Sequence, residues 1–371
     1  MILHLSCDDQ FVRYVDKQFV DGRKTSELIV CDYKIKPDLV KDAPNMNYIQ
    51  VGTKEFSELK LKLGNYSAII FHGLFGRWCT VLLDAIPNHV KIAWVIWDGE
   101  IFSRPKLEPT FLKPFTRFLW KTKRLKAFLK NGKSYKQRYF VPKEKFGRIE
   151  YCLCDMPQEA EFSNKYLKLD LKWLPYNYYS IKETVRDLSS KRAEGKNIFL
   201  GNSCTYNNNH LDIIWKLRKL VTRDQKVITP LSYGYTSIRK YIIHFGNLLL
   251  GDSFVPLIDY LSLDEYNTKM LSCSVMIQYL GSPGAQGNII TGLWLGMRVY
   301  LNKNSIMYEF FKSLGVHIYS VEEDLNNDNK NLFSPLSESE VIHNRNVIKE
   351  YFGDEATMNR VENIIQVLDE N

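Results

Sequence analysis

Between residues 196 and 320, stretches with the make-up of strands and of helices alternate without interruption. KNIFL (196–200), KVIT (226–229), the apolar run SVMIQYL (274–280), RVYLN (298–302) and VHIYS (316–320) read as strands. HLDIIWKLRKL (210–220), SIRKYIIHFGNLL (237–249), DEYNTKMLSC (264–273), NIITGLWLG (288–296) and SIMYEFFKSLG (305–315) read as helices. A loop with Asp252 and Pro256 separates the second and third of these helices. Parallel strands need a crossover between them, and a helix is the usual one. Such alternation with short connections therefore predicts a parallel sheet covered on both faces.

The N-terminal half repeats the pattern less cleanly, in ILHLSC (2–7), YIQV (48–51), AIIFHG (68–73), KIAWVIW (91–97) and RIEYCLC (148–154). The polar, charged stretch Ile181 to Lys196 reads as a linker, and an amphipathic stretch from about Glu338 to Leu368 as a last helix. The expected organisation is a first α/β domain over 1–180, a linker over 181–196 and a second α/β domain over 197–340. A terminal helical segment over 341–371 is expected to pack back on the first domain, with a cleft between the two domains. Open α/β sheets bind ligands beyond the carboxyl ends of their strands, so the loops after strands are the places to search.

A length of 371 residues suits two domains. With 45% hydrophobic and 25% charged residues the chain has the composition of a soluble globular protein that builds a core without disulfides. The seven cysteines are scattered and include no CxxC pair. Cys152 and Cys154 share a strand face as packed thiols, and no metal site is expected. Reduced thiols fit a cytoplasmic protein. The opening MILHLSCDDQ has the form of a first strand and not of a signal peptide. The charge-free run Met270 to Met297 is broken by Gly281, Pro283, Gly284, Gln286, Gly287 and Asn288. It reads as strand, loop and helix, not as a membrane span.

Two loops at strand ends have the chemistry of an anion site. Gly201-Asn202-Ser203 follows one strand and leads, through Asn207, Asn208 and Asn209, into a helix; Gln286-Gly287-Asn288 opens another helix after the apolar strand. Amide N–H groups at a helix start have no intrahelical partner, and small residues let a phosphate approach them. A helix cap is the simpler role for the asparagines. Two such loops favour a diphosphate or nucleotide. GxGxxG after the first strand and GxxxxGK[ST] are both absent, which argues against an NAD enzyme and a P-loop ATPase. Tyr233, in Thr229-Pro230-Leu231-Ser232-Tyr233-Gly234, is placed to stack on a base or bond a phosphate. In the first half, His72, Asp98 and Glu100 end two strands and are the candidate groups to take a proton from an acceptor hydroxyl. No HExxH or GxSxG motif occurs, so neither a zinc protease nor an elbow-type serine hydrolase is indicated.

The net charge of +8 is local. Arg104 to Arg148 holds 15 Lys/Arg against two acids, and the rest of the chain holds 35 bases against 40 acids. Within that stretch PFTRFLWKTKRLKAFLK (114–130) spaces Phe115, Phe118, Leu119, Leu125 and Leu129 near helical period among Arg117, Lys121, Arg124 and Lys126. Such a helix suits an anionic membrane surface or a lipid diphosphate. Nucleic-acid phosphates and a plain surface helix with snorkelling lysines are the other roles for it.

FHG (71–73), IWDGE (96–100), LGNS (200–203) with its Asn-rich helix start, TPLSY (229–233) and QYL…QGN…LG…VYLN resemble, in order and spacing, the TDP-N-acetylfucosamine:lipid II N-acetylfucosaminyltransferase family. The similarity spans roughly residues 65 to 310. It implies a GT-B glycosyltransferase fold, α/β with two Rossmann-like domains whose parallel sheets face a central cleft. The donor would lie mainly on the C-terminal domain and the acceptor on the N-terminal one. Carried over by position, Gly201, Asn202, Ser203 and Gly287 fall on donor-loop residues of the family. Pro230 and Tyr233 fall on its proline–tyrosine loop, Leu301-Asn302 on a strand end, and Trp97 on the tryptophan before its acid. There the family has Gly-Ala-Asp, whereas this chain has Asp98-Gly99-Glu100, so Glu100 takes the acid's place and Asp98 is an addition. The family acid after the last motif corresponds to Asn304.

The resemblance implies transfer of an N-acetylated deoxy-amino hexose from a TDP-linked donor to a polyprenyl-diphosphate-linked saccharide in enterobacterial common antigen synthesis. The enzyme would work without a metal or other cofactor, in the cytoplasm at the inner-membrane surface. Donor binding would fall to Gly201, Asn202, Ser203, Tyr233, Gln286, Gly287 and Asn288, and catalysis to Glu100, Asp98 or His72. Arg117, Lys121, Arg124 and Lys126 would meet the acceptor diphosphate or the membrane, and no nucleic-acid partner is expected. An enzyme acting on a soluble nucleotide sugar, such as an epimerase, and a nucleic-acid-binding α/β protein are the competing expectations.

Overall fold

The structure, a computed structural model, describes residues 1–40, 42–131, 139–326, 328 and 331–369. Lys133, Lys136 and Arg138 of the basic stretch, and Glu370 and Asn371 of the expected terminal segment, lie outside the described residues. The described residues form two compact units. One takes its chain from Met1–Arg104, Arg138–Ser180 and Phe352–Asn371, the other from Pro105–Gln137 and Ile181–Tyr351.

In the first unit β1 (Ile2–Ser6), β2 (Ser26–Asp32), β3 (Met46–Gln50), β4 (Ala68–His72), β5 (Lys91–Val95), β6 (Tyr151–Cys154) and β7 (Lys172–Pro175) form one sheet in the order β3-β2-β1-β4-β5-β6-β7. All its pairings are parallel. β1 and β4 are buried along their whole length, as parallel strands covered by helices on both faces must be. Two of these strands, SELIVCD and KWLP, are absent from the sequence reading. SELIVCD carries two acids among its apolar residues. KWLP is four residues long and ends in proline, which an edge strand tolerates because one side of its backbone goes unpaired.

The second unit's sheet contains β8 (Asn197–Leu200), β9 (Val227–Pro230), β10 (Phe254–Leu257), β11 (Cys273–Gln278), β12 (Arg298–Leu301) and β13 (Tyr319–Ser320), again all parallel, in the order β10-β9-β8-β11-β12-β13. β10, read as a loop because of Pro256, is another edge strand. The helix expected over 288–296 runs from Gln286 to Trp294, so Gln286 and Gly287 stand inside its first turn.

Three domain boundaries differ from expectation. Residues 105–131 leave the first domain and pack in the second unit. Asp212 accepts the N–H groups of Phe115 (2.8 Å) and Thr116 (2.9 Å) there, and Asn209 accepts that of Lys113 (2.8 Å). The expected linker is part of the same unit: Ile181–Val185 is a helix, and Ile181, Val185, Leu188 and Ala193 are buried. A charged sequence hid these four inward-facing positions. The terminal helix is two helices, Glu338–Phe352 and Asp354–Asp369, parted at Gly353. The second packs in the first unit, where Val361, Ile364 and Leu368 join the core with Ile2, Phe19, Leu28 and Leu174.

Candidate active site

From β8 the second unit's chain winds outward through β9 and β10, then crosses to β11 and winds the other way. The winding reverses between β8 and β11, and this switch point is where open α/β sheets bind ligands. The loops beyond those two strands are the two picked out in the sequence.

Gly201 leaves β8 with φ +70°, and its carbonyl accepts the Gln278 side-chain amide (2.9 Å). A Cβ at this position would lie 2.6 Å from His210 Nε2 and 3.0 Å from Asn208 Oδ1. His210 is 2% exposed; burial pushes its pKa down to about 3, so it is neutral. The Asn202 N–H donates to Asn208 Oδ1 (3.1 Å), and its side-chain amide to Tyr233 Oη (3.3 Å). Ser203 is buried and bonds the Asn202 and Asn208 side chains. Cys204 N–H donates to the Tyr233 carbonyl (2.8 Å) and Tyr235 N–H to the Cys204 carbonyl (2.6 Å), joining this loop to the one after β9.

The three asparagines do more than end a helix. Asn209 holds the N-cap position, in the left-handed conformation (φ 49°), but makes no side-chain capping bond. Its amide instead donates to the carbonyls of Asn207 (3.1 Å) and Tyr279 (3.0 Å). Asn208 donates to Ser203 and Thr205 within the loop. Asn207 accepts the N–H groups of Gly281 (3.0 Å) and Ser282 (2.8 Å) and donates to the Ser282 carbonyl (3.2 Å). The asparagines thus staple the loop after β8 to itself and to the loop after β11.

That second loop leads into helix Gln286–Trp294. Its intrahelical bonds begin with Ile289 N–H to the Ala285 carbonyl, so the Gly287 and Asn288 amides sit in the open first turn. Asn288 donates to Tyr266 Oη (3.1 Å), and Tyr233 is half exposed. One residue beyond the sequence reading joins this edge. Lys113 Nζ bonds Glu322 (2.8 Å) and Asn302 (3.2 Å) and lies 4.8 Å from the Tyr279 ring centroid. Its place was illegible because it reaches β12 and β13 from some 190 to 210 positions earlier in the chain.

At the carboxyl edge of the first sheet the expected acids and histidine separate. Glu100 is 4% exposed and accepts from the Leu74 N–H, the Trp94 indole N–H (2.9 Å) and the Trp97 N–H (2.8 Å), the last closing a capping box on helix Asp98–Ile101. A carboxylate so placed ties β5 to the turns after β4 and β5, an architectural role for a residue expected to take a proton. His72 is 1% exposed, with its two ring nitrogens on His4 Nδ1 (3.0 Å) and Tyr178 Oη (3.2 Å). Burial, then the neighbouring His4, holds its pKa well below the ordinary histidine value. His72 too is architectural. Asp98 is exposed at the same edge.

The loop after β1, read only as the end of a strand, supplies two further carboxylates. Burial pushes the Asp8 pKa up, but the N–H groups of Asp38, Leu39 and Val40 and the Lys34 ammonium hold it below its usual value. Asp9 accepts from the Phe11 N–H, the Ser6 hydroxyl and the Cys7 thiol. Burial raises its pKa to about 6, against the pull of the Phe11 N–H.

The basic helix Pro114–Asn131 docks by Thr116, which is buried, and Leu119, which packs on the second core. On the opposite face Phe118, Leu125 and Leu129 are 72%, 58% and 73% exposed. At about 100° per residue these three fall within one narrow stripe, with Lys121 on one side and Lys126 on the other. Arg124 lies over the Trp120 ring (4.6 Å) and faces Glu108 (4.0 Å), and Arg117 reaches the Thr110 carbonyl (3.5 Å). The four expected contact cations therefore divide into two at the stripe and two that brace their own segment. Among the described residues no group of three or more His, Cys, Asp or Glu is placed to hold a metal ion, and no helix is long and apolar enough to cross a membrane.

No family model and no curated protein matches the chain. Solved structures do. A glycosyltransferase from Rickettsia africae superposes with a TM-score of 0.65 at 12% identity, covering 100% of this chain and 98% of that one. Anabaena HepE, solved with UDP and glucose, gives 0.61 at 9% identity and 99% of each chain. WaaG, a glycosyltransferase involved in lipopolysaccharide biosynthesis, gives 0.54 at 11% identity and 100% of each. At these identities the likeness is one of fold, and with the two all-parallel sheets it establishes that the chain has the GT-B fold.

Proposed function

We propose that the chain is a glycosyltransferase. It moves a hexose from a nucleoside-diphosphate sugar to a saccharide carried on a polyprenyl diphosphate, at the cytoplasmic face of the inner membrane, in bacterial surface-polysaccharide synthesis. The observation that carries this reading is the pair of glycine-and-amide loops at the β8/β11 switch point, stapled together by Asn207. The fold's occurrence in a protein solved with UDP-glucose supports it. When the glycosidic bond breaks, charge grows on the departing diphosphate. First-turn amides such as those of Gly287 and Asn288 stabilise that charge with groups already in place. The resemblance to the N-acetylfucosaminyltransferases favours a TDP-linked, N-acetylated deoxy-amino hexose as donor and a chemistry without a metal.

Calorimetric titration with TDP, UDP and GDP, first without metal and then with magnesium, tests the donor site. We expect micromolar metal-independent binding of one of them, about −8 kcal/mol. Asn202→Ala should weaken it at least tenfold, about 1.4 kcal/mol. Binding of none of the three would reduce the loop at 201–203 to a tie between strands.

The exposed Phe118–Leu125–Leu129 stripe with its flanking lysines supports membrane contact, since apolar side chains enter the interface while each basic residue gains about 1 kcal/mol from anionic lipid. Reversal of Arg117, Lys121, Arg124 and Lys126 to Glu is expected to abolish co-sedimentation with phosphatidylglycerol vesicles and to spare nucleotide binding. Arg117 and Arg124 brace their own segment, so the double variant Lys121→Glu/Lys126→Glu isolates the surface effect. Retention of both variants at the wild-type level would count against a membrane role.

A further inference from the structure

Three helices of the second unit bring exposed apolar and basic side chains together. Helix His210–Leu217 packs against the basic helix Pro114–Asn131 and against helix Thr236–Leu250. The exposed Phe115 ring joins all three. Its centroid lies 5.4 Å from that of Trp215, also exposed, and 6.2 Å from that of Phe245. Arg218 covers the Trp215 ring at 3.4 Å. Farther along, Lys123 of the basic helix lies over the Tyr241 ring (4.7 Å), which Lys240 also approaches (5.3 Å). Lys123 first, then Lys240 and Lys126, hold the Tyr241 phenol below its ordinary pKa, so cations from both outer helices gather about one ring.

Helix Thr236–Leu250 has a stripe of its own. Tyr241, His244, Phe245 and Leu248 recur at three and four residues and so share one side, while Ile238 and Ile242 are buried in the second core. Leu248 is 69% exposed, comparable with the stripe of the basic helix. The charge on these helices is one-sided. The two outer helices hold eight Lys/Arg and a histidine and no Asp or Glu. The one acid of the middle helix, Asp212, is turned to the Phe115 and Thr116 N–H groups. The partner that fits is therefore anionic. Nucleic-acid phosphates reward cations and gain nothing from exposed leucine and phenylalanine. An anionic bilayer rewards both: apolar side chains enter the acyl boundary, Trp and Tyr rings lie at headgroup level, and lysines meet the lipid charge.

We infer that helices Pro114–Asn131, His210–Leu217 and Thr236–Leu250 form one docking face for an anionic lipid bilayer, built on the unit that carries the donor loops. The inference rests on the membrane contact proposed for the basic helix and extends it to two helices that the sequence gave no reason to include. Both of these helices leave donor-site loops directly, one after Asn209 and the other after Tyr235. The Asn209 side chain also accepts the Lys113 N–H at the entry of the basic helix. The face thus grows out of the loops that would hold the nucleotide.

The test compares full-length wild type and variants by co-sedimentation with phosphatidylglycerol/phosphatidylcholine vesicles and with phosphatidylcholine vesicles alone. Quenching of tryptophan fluorescence by bromine-labelled acyl chains is read on the same samples. Lys240→Glu/Leu248→Glu leaves the basic helix untouched and should raise the lipid concentration for half-binding at least about tenfold. Both residues are exposed, so the thermal midpoint and the nucleotide affinity should stay at wild-type values. Trp215→Phe should remove much of the bromolipid quench while binding stays within about threefold. Trp173→Phe, at an exposed tryptophan of the first unit, should leave the quench unchanged. Equal lipid binding by wild type and Lys240→Glu/Leu248→Glu would overturn the three-helix face, and so would a quench kept in Trp215→Phe. Loss of binding in Lys121→Glu/Lys126→Glu alone would then leave membrane contact to the basic helix by itself. A wild-type protein that sediments with neither kind of vesicle would overturn the membrane reading as a whole. Tighter binding to a DNA duplex than to the anionic vesicles at the same salt would assign the face to nucleic acid and overturn the inference too.

Discussion

Replacement of Glu100 by alanine is expected to cost the first unit at least about 3 kcal/mol, because it leaves buried hydrogen-bond donors unpaired. The carboxylate accepts from the Leu74 N–H, the Trp94 indole and the Trp97 N–H, and is itself buried. Its removal strands three donors, one just after β4 and two at the end of β5, and each buried donor left unpaired costs about 1–3 kcal/mol. Glu100→Gln offers no escape, because the new amide turns an N–H group toward at least one N–H donor. Chemical denaturation followed by Trp fluorescence measures the loss. The outcome separates two roles for this residue. A base would lose turnover at unchanged stability. The architectural role predicts a much lower midpoint with normal turnover in whatever fraction stays folded.

Gly201→Ala is the second large effect, and Gly315→Ala is its measure. Both glycines have positive φ, +70° and +84°, where an L side chain costs roughly 1–2 kcal/mol. A Cβ at 315 meets nothing within 4 Å, whereas one at 201 meets His210 Nε2 at 2.6 Å and Asn208 Oδ1 at 3.0 Å. His210 cannot swing away, because it is buried at the start of helix His210–Leu217. Gly315→Ala should therefore show the backbone strain alone and bind nucleotide normally. Gly201→Ala should be less stable than that, and its nucleotide affinity should fall at least about 100-fold, roughly 2.7 kcal/mol, because Asn208 must move and it orients the Asn202 amide. Equal stability and equal affinity in the two variants would mean that the loop yields to the methyl group and is no rigid cradle.

Much of the fold was legible because its signals are local. β11 (CSVMIQ) has four apolar residues in six and is fully buried, and the glycine-rich stretch GSPGAQG closes it off two residues later. The strands that went unread, SELIVCD, FVPL and KWLP, carry charge or proline, and two of them lie at sheet edges where a proline is no obstacle. The two glycine-and-amide loops were legible as a pair, since small and amide residues between a strand and a helix are rare without a reason. The reason itself was not. Asn207 reads as a cap candidate in the sequence, and only the fold brings it to Gly281 and Ser282, more than 70 positions away.

The sequence by itself determined the class of structure, two α/β sheets of parallel strands, and the stretches where an anion would meet glycine and amide groups. Periodicity, turn chemistry and helix starts are written within a few residues of one another. The tertiary structure decided which side chains are free to act. It put Glu100 and His72 inside hydrogen-bonded networks, turned Phe118, Leu125 and Leu129 outward and moved residues 105–131 into the second unit. Burial and hydrogen-bond partners are properties of what the rest of the chain brings to a residue. Asp8 and Asp9, adjacent and identical in the sequence, have their pKa values moved in opposite directions for that reason alone.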